Sequence, residues 1–559
     1  MVTLRPVPLV AFLLAFSLLR VSVASSEPVS NMEDLGYLAA AGSSADTYSI
    51  GVAINDAGQV AGASTDGNSH LRAILFDHGV VTNLDVLEDG YESESVDINA
   101  SGQVVGTFDA PGGTRAFFYS NGTMTNLGVL PGGNSSEAVA INDAGQVIGF
   151  SSTASSYAHA FLWQDGVMTD LGTLPGGDTA YPTAINGAGQ VTGYADTATE
   201  RHAFLYSGGT MTDLGTLGGS ASYGFALNEA GDVVGGARVA GDLEEHAFFH
   251  HAGVMTDLGT LGGAYAAASA VNEAGDVAGS ASIADDSEYH PFLYKNGTMF
   301  DLGTPGALQD TAVRINANGD VLGYTIDDGT FHVHSWVHVG GQKRDIGHLV
   351  PGGGGTFASD WNNLGVITGS SYSERFDAHA FVTSCGFEPV ATCDSGAKGS
   401  LSVRNDADDD RDALRWKWGR GSTITMADLG DAVAAHGYRL CVYDATTGTS
   451  ELAAALAVRP GAGWSSTGAT GWRYRDGHGD EDGVAKIQLK AGASGVGKIQ
   501  LVAKGAALPT PDPHSLGEYF DADPQVTVQL VRDGGPQCWS SEFTDASTNS
   551  GQEYQAIRR

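Results

Sequence analysis

Ala184-Ile185-Asn186-Gly187-Ala188-Gly189-Gln190-Val191-Thr192-Gly193-Tyr194, then His202-Ala203-Phe204-Leu205-Tyr206, then Met211-Thr212-Asp213-Leu214-Gly215-Thr216-Leu217, is the clearest of eight copies of one pattern. The anchoring asparagine recurs at Asn55, Asn99, Asn142, Asn186, Asn228, Asn272, Asn316 and Asn362, at spacings of 42 to 46 residues. So regular a period marks units that cannot bury their own apolar faces and must stack on their neighbours. Four short segments recur in each unit, and in the fifth copy they are 211–217, 223–227, 232–238 and 246–250. They are rich in Val, Ile, Phe and Thr and are bounded by Gly, Asn, Asp or Ser, which reads as strands joined by tight turns.

The Asn-x-x-Gly stretch connects the second segment to the third as a hairpin. Its glycine, at 58, 102, 145, 189, 231, 275, 319 and 365, occupies a position that needs positive φ. Asn121-Gly122 and Asn296-Gly297 read as a second hairpin turn, between the third-to-fourth strand pair and the next unit. Four antiparallel strands in each unit, repeated radially, make an all-β chain whose residues 31–384 form a β-propeller of about eight four-stranded blades. An Asp34-Leu35-Gly36 element precedes the first copy and none follows the last His379-Ala380-Phe381. The array is therefore permuted by one strand, and the N-terminal strand is expected to complete the last blade and remove the exposed edges. An open β-solenoid is the competing architecture.

The His-Ala-Phe triplet, with Ile-Asn-x-Ala-Gly-Gln-Val before it and Asp-Leu-Gly-Thr-Leu after it, resembles the HAF-family extracellular repeat of bacterial proteins. That resemblance covers all eight copies and implies a secreted repetitive protein with no general assigned activity. The triplet departs from the pattern as Arg72-Ala73-Ile74, Arg115-Ala116-Phe117, His290-Pro291-Phe292 and His334-Ser335-Trp336. His159, His202, His246, His290, His334 and His379 suggest a ring of metal ligands, but the arginines at 72 and 115 are always protonated and cannot ligate metal. A position filled by either residue is a hydrogen-bond donor that holds a turn or a neighbouring strand. A structural role is expected.

Residues 1–25 read as a secretory signal: Arg5, an apolar run over 9–19 broken only by Ser17, then Ser22, Ala24 and Ser25. No later run is long enough to span a bilayer. The net charge is −37, and residues 26–384 hold 9 Lys and Arg against 42 Asp and Glu. Such a surface repels nucleic acid and anionic membranes, and neither is an expected partner.

The repeat stops at Cys385. Residues 385–400 read as a junction loop and 401–559 as a β-sandwich-like or small barrel domain, with alternating runs at 484–490, 498–504 and 526–531 and one helix expected over 425–436. Its Leu-Arg-Trp-Lys-Trp, Leu-Cys-Val-Tyr-Asp and Gln-Cys-Trp stretches resemble a C-terminal module of large secreted proteins from environmental bacteria, for which no function carries over. Four cysteines in an exported chain imply two disulfides with three possible connectivities. The expected pairing is Cys385–Cys393 and Cys441–Cys538.

Two acidic loops crowd oxygen ligands as calcium requires, one with Asp406, Asp408 and Asp410, the other with Asp476, Asp480 and Asp482. Neither matches the 12-residue calcium loop, and solvated turns are the favoured reading, with calcium the alternative. Calcium is the only cofactor the sequence suggests. No Gly-x-Ser-x-Gly elbow, His-Glu-x-x-His or phosphate loop occurs. The chain thus reads as a secreted, monomeric, non-enzymatic binding or structural protein, with an extracellular protein or glycan as partner. The alternative is a carbohydrate-active extracellular enzyme, a lyase or hydrolase. A site of either kind would lie where the repeat degenerates, around 330–340 and 352–357, where His332, His334, His338, Trp336 and Trp361 gather, although the simpler reading is that end units drift because they close the ring.

Overall fold

The structure is a computed structural model. It describes residues 32–38, 48–77, 79–84, 92–284, 286–327, 332–349, 355–372, 377–387, 389–404, 411–434, 436–446, 449–477, 482–505, 508, 525–533, 537–550 and 553–558. The signal-like segment 1–25 lies outside them.

Strands Ser49–Ile54, Val60–Thr65, Leu71–Asp77 and Val80–Asn83 form the first antiparallel blade. The same order repeats to a seventh blade at Ala307–Ile315, Val321–Asp327, Val333–Val339 and Gln342–Asp345. The eighth takes Gly355–Trp361, Ile367–Tyr372 and Ala378–Thr383 from the end of the array and Met32–Asp34 from its beginning, with Asp34 opposite Phe381. The ring is a closed eight-bladed propeller, not an open solenoid. First strands lie innermost and touch the first strands of both neighbours.

One boundary differs from the sequence reading. The Asp-Leu-Gly segment assigned to the start of each copy is the outer strand of the preceding blade: Thr210–Asp213 pairs with Arg201–Ser207. Asn121 and Asn296, at φ 49° and 52°, turn the chain from the third strand to the fourth within one blade.

Packing explains the triplet's aromatic residue. Phe161 stands directly opposite Gly149, Phe204 opposite Gly193 and Phe248 opposite Gly235 on the adjoining strand. A Cβ on Gly149 would lie 2.6 Å from the Phe161 ring and 2.0 Å from the Glu137 carbonyl oxygen. The glycine leaves its place to the ring, and the aromatic side chain covers the exposed strand backbone. Apolar clusters then form between blades. Ile54, Val60, Ile74 and Phe76 of the first blade pack on Val366, Ala380 and Val382 of the eighth, sealing the ring with the same chemistry used elsewhere.

The histidine beside that aromatic clasps the outer strand. Nδ1 of His159, His202, His246 and His290 lies 2.9–3.1 Å from the carboxylate oxygens of Asp170, Asp213, Asp257 and Asp301, eleven residues on. A carboxylate only accepts, so Nδ1 carries the proton. The same carboxylate accepts the N–H two residues later, as Gly172 to Asp170 at 2.8 Å. In the eighth blade the partner of His379 is Asp34, at 2.9 Å, so the clasp also joins the two ends of the array. Where arginine replaces histidine, at 72 and 115, asparagine replaces aspartate, at 83 and 126.

After the propeller, a five-stranded sheet and an eight-stranded sheet enclose one core that includes Trp416, Trp418, Tyr438, Leu440, Ile487, Leu501, Val528 and Trp539, a β-sandwich. The expected helix is only Met426–Leu429, with Thr425 and Asp428 forming a capping box and Gly430, at φ 61°, ending it. The disulfides are Cys385–Cys441 and Cys393–Cys538, which corrects the expected pairing. Strand Val526–Arg532 lies between the strands of Cys441 and Cys538. Two strand spacings, about 9.5 Å, exceed what a disulfide reaches. Each cysteine of the junction is instead stapled to the sandwich. Leu364, in the eighth blade's hairpin turn, packs with Cys385, Cys441 and Tyr443, and Arg459 pairs with Glu33.

The clasp between His379 and Asp34 predicts a pH dependence. The Asp34 hydrogen bond raises the His379 pKa, and against the effect of burial the bonds from His379 and Gly36 hold Asp34 low. A histidine raised on folding contributes its full stability below its unfolded value and loses it as pH climbs through the folded value; an aspartate held low loses its contribution as pH falls through the folded value. The clasp therefore acts between a depressed aspartate and an elevated histidine. Melting temperature at fixed ionic strength is expected to fall between about pH 6 and 8, and His379→Gln, which still donates but does not titrate, is expected to flatten that slope.

Candidate binding site at the mouth of the central channel

The innermost strands end at the anchoring asparagines, and these close the channel's mouth. Asn142 Oδ1 accepts the N–H groups of Ala144 and Gln146 at 3.1 and 3.0 Å, and its Nδ2 donates to Gln146 Oε1 at 2.8 Å and to the Asn186 carbonyl of the next blade at 2.9 Å. Equivalent inter-blade bonds run from Asn55, Asn99, Asn186, Asn228, Asn272 and Asn362, the last returning to the Asn55 carbonyl at 3.1 Å. The turn's glycine completes each connection; Gly145 has φ 75° and donates to the Asn142 carbonyl at 3.0 Å.

A second ring lies one residue further out. Asp56, Asp143, Glu229 and Glu273 accept the N–H of Asn363, Ala100, Gly187 and Glu229, the equivalent position of the preceding blade, at 2.8–3.0 Å. Around these rings opens a cavity of about 290 Å³, lined by Asn55, Asn99, Asn142 and Asn362, by Ile54, Ile98, Ile141 and Ile185, and by Trp361.

The channel wall just below the asparagines breaks the repeat. Two residues before each asparagine stand Ala53, Asp97, Ala140, Ala184, Ala226, Ala270, Arg314 and Asp360. Arg314 Nε donates to Asp360 Oδ1 at 3.1 Å, with the two side chains 49% and 18% exposed. This pair bridges blades seven and eight, the one step where, among the described residues, no asparagine reaches the next carbonyl; Asn316 Nδ2 turns to Asp320 at 2.8 Å. Asp360 Oδ2 accepts Ile54 N–H at 3.1 Å, and Asp97 accepts Ile98 and Ile141 N–H at 2.8 and 2.9 Å. Burial, with the Asp360 charge adding to it, pushes Asp97 up to about 7 from 3.8. Burial also raises Asp360, against the Arg314 charge.

The residues expected to mark a site are dispersed. His334 pairs with Asp345 and Asp327 at 3.3 and 3.2 Å and stands with His332 and His348 away from the mouth. Trp336 is buried, donates to Asp310 at 3.0 Å and carries Lys343 Nζ 4.1 Å above its ring. His338 is half-buried, and burial lowers its pKa. Only Trp361 reaches the mouth. Asp97, Arg314 and Asp360 were not singled out by sequence, although the eight copies, aligned on the asparagine, display them as the charged exceptions in an alanine column.

Of the aspartates offered to calcium, Asp406, Asp408, Asp410 and Asp480 lie outside the described residues. Asp482 accepts the Ala457 N–H at 2.8 Å, and Asp476 N–H donates to the Ala485 carbonyl at 3.1 Å. Among the described residues no group of three or more His, Cys, Asp or Glu side chains is gathered as a metal requires.

No family model and no curated protein matches the chain. Solved structures with similar architecture include the β-propeller domain of the Trilobed protease from Pyrococcus furiosus, at 7% identity over 54% of this chain and 99% of that one, TM-score 0.36. Dipeptidyl peptidase 4 of Porphyromonas gingivalis is similar at 9% identity over 68% and 66%, TM-score 0.39. SapL1 lectin in complex with alpha methyl fucoside is similar at 12% over 54% and 95%, TM-score 0.26. Each likeness is slight and bears on no residue of the mouth.

Asp97 supplies a test of this geometry. Its folded pKa of about 7 exceeds the ordinary 3.8, so its cost to stability is absent in acid, grows as pH rises between those values and is complete above the upper one. Blades three to six carry alanine at this position, so Asp97→Ala has room to fold. The melting-temperature difference between variant and wild type is expected to shift in the variant's favour from about pH 4 to about pH 8, and a difference independent of pH counts against the assignment.

Proposed function

We propose that the chain is a secreted bacterial protein of the HAF-repeat type, non-enzymatic and monomeric, whose propeller is an interaction platform for an extracellular protein or glycan. The sandwich tethers or orients the platform. The mouth carries this reading: a polar concavity on a ring whose asparagines are each fixed by several hydrogen bonds, so ligand meets groups already in place. Two disulfides fit an oxidising compartment. Among the described residues no helix is long and apolar enough to cross a membrane.

A second reading, a carbohydrate-active enzyme, draws on one observation: Asp97 and Asp360 share the channel wall with raised pKa values. One experiment separates the two. Residues 26–559 are incubated with immobilised glycans and extracellular proteins, and bound protein and released reducing ends are measured together. Retention without product is the expected outcome; turnover that Asp97→Ala abolishes would replace the binding role with catalysis.

Calcium at the acidic loops remains part of the proposal. Thermal unfolding in millimolar calcium against a chelator tests it: a ligated loop raises the melting temperature by mass action, and a solvated turn leaves it unchanged.

A further inference from the structure

We infer that the sector of the mouth between blades seven and eight is a subsite for one pyranose unit of a neutral glycan, with Trp361 as its platform and Arg314, Asp360 and the Asn362 carbonyl as its polar contacts. The inference deepens the binding role proposed above and rests on it.

Three observations converge on this sector. Seven blades place Ile, Leu or Val immediately before the asparagine, and the eighth places Trp361, which lines the mouth. Its indole N–H has no protein partner among the described residues. Next, Arg314 spends Nε on Asp360 and Nη1 on the Val313 carbonyl, leaving Nη2 without a partner among the described residues on a side chain that is 49% exposed. The Asp360 carboxylate accepts from Arg314 Nε and from the N–H groups of Ile54 and Trp361, which leaves one of its four lone-pair sites for a further donor.

The break in the asparagine ring supplies the third. The Asn142 carbonyl accepts both Gly145 N–H and Asn99 Nδ2, whereas among the described residues the Asn362 carbonyl accepts only Gly365 N–H, at 2.9 Å. Asn316 Nδ2, the donor that would have reached it, is bonded among the described residues to Asp320 alone. A donor and an acceptor therefore face the same step without each other, and a hydroxyl, which both accepts and donates, satisfies both. Vicinal hydroxyls likewise suit a planar guanidinium–carboxylate pair, and the C–H face of a pyranose suits an indole ring.

Charge selects the sugar. Arg314 and Asp360 cancel, but the surrounding propeller holds 9 basic against 42 acidic residues over 26–384, which repels uronates and sulfated chains.

The test uses residues 26–559 and titration calorimetry with neutral gluco-, manno- and galacto-hexasaccharides, with hexagalacturonate as the acidic comparison. At least one neutral probe is expected to bind and hexagalacturonate is not. Trp361→Ile, which installs the residue other blades carry and so preserves the fold, is expected to weaken binding at least about tenfold, as is Arg314→Ala. Val271→Ile, at the equivalent position of the sixth blade and outside the cavity lining, is expected to leave it unchanged. Full affinity in Trp361→Ile overturns the subsite while leaving the platform standing. No neutral probe binding, while an immobilised extracellular protein is retained, overturns the glycan and keeps the platform. Retention of nothing overturns both.

Discussion

Among the described residues, six of the eight anchoring asparagines accept two backbone N–H groups of their own turn and Asn186 and Asn228 accept one, and Nδ2 of all but Asn316 also donates into the next blade. Aspartate has no donor for the neighbouring carbonyl, and a longer side chain could not serve its own turn in the same way. The side chain that shapes the hairpin is thus the one that sets the distance to the next blade. Local turn geometry and ring geometry become a single constraint. The glycine at positive φ and the aromatic ring over the second-strand glycine act within a blade; only the asparagine acts within and between at once. Where its reach fails, between blades seven and eight, an ion pair takes over the joint.

The acidity of the chain follows partly from the same logic. Asp56, Asp143, Glu229 and Glu273 are acceptors for amides of neighbouring blades, and Asp170, Asp213, Asp257, Asp301 and Asp34 are acceptors for both a histidine and a turn amide. Strand ends expose backbone N–H groups, and a short carboxylate is an economical partner for them. Repeating the unit repeats the carboxylate. Much of the negative charge is a by-product of satisfying backbone eight times over.

How much of this was legible from residues alone differs from feature to feature. The period, the hairpin glycines and the permuted Asp34 element were enough for a closed ring, because each is local and recurs. The disulfide pairing was not, because it depends on the order of strands in a sheet, and spacing along the chain does not show that Val526–Arg532 separates Cys441 from Cys538. The helix at Met426–Leu429 stops early because Gly430, at φ 61°, follows within one turn. Asp97, Arg314 and Asp360 escaped notice for a different reason: the asparagine and the triplet recur visibly, and a column of alanines draws attention only when its exceptions are lined up. Trp361 was noticed as an irregularity, but its neighbours across the blade joint are distant in sequence.

The clasp between His379 and Asp34 joins residues 345 positions apart. Chain synthesis delivers Met32–Asp34 first and its partner strand after the whole array, so this strand stays unpaired longest. The entropy of closing so long a loop grows only logarithmically with its length, which keeps the closure feasible, yet it comes after every local hairpin has formed. Seven blades are complete from contiguous chain, and the eighth is a seam. Time of synthesis and position in the ring run in opposite senses at that seam, so the first segment made is the last to find its place.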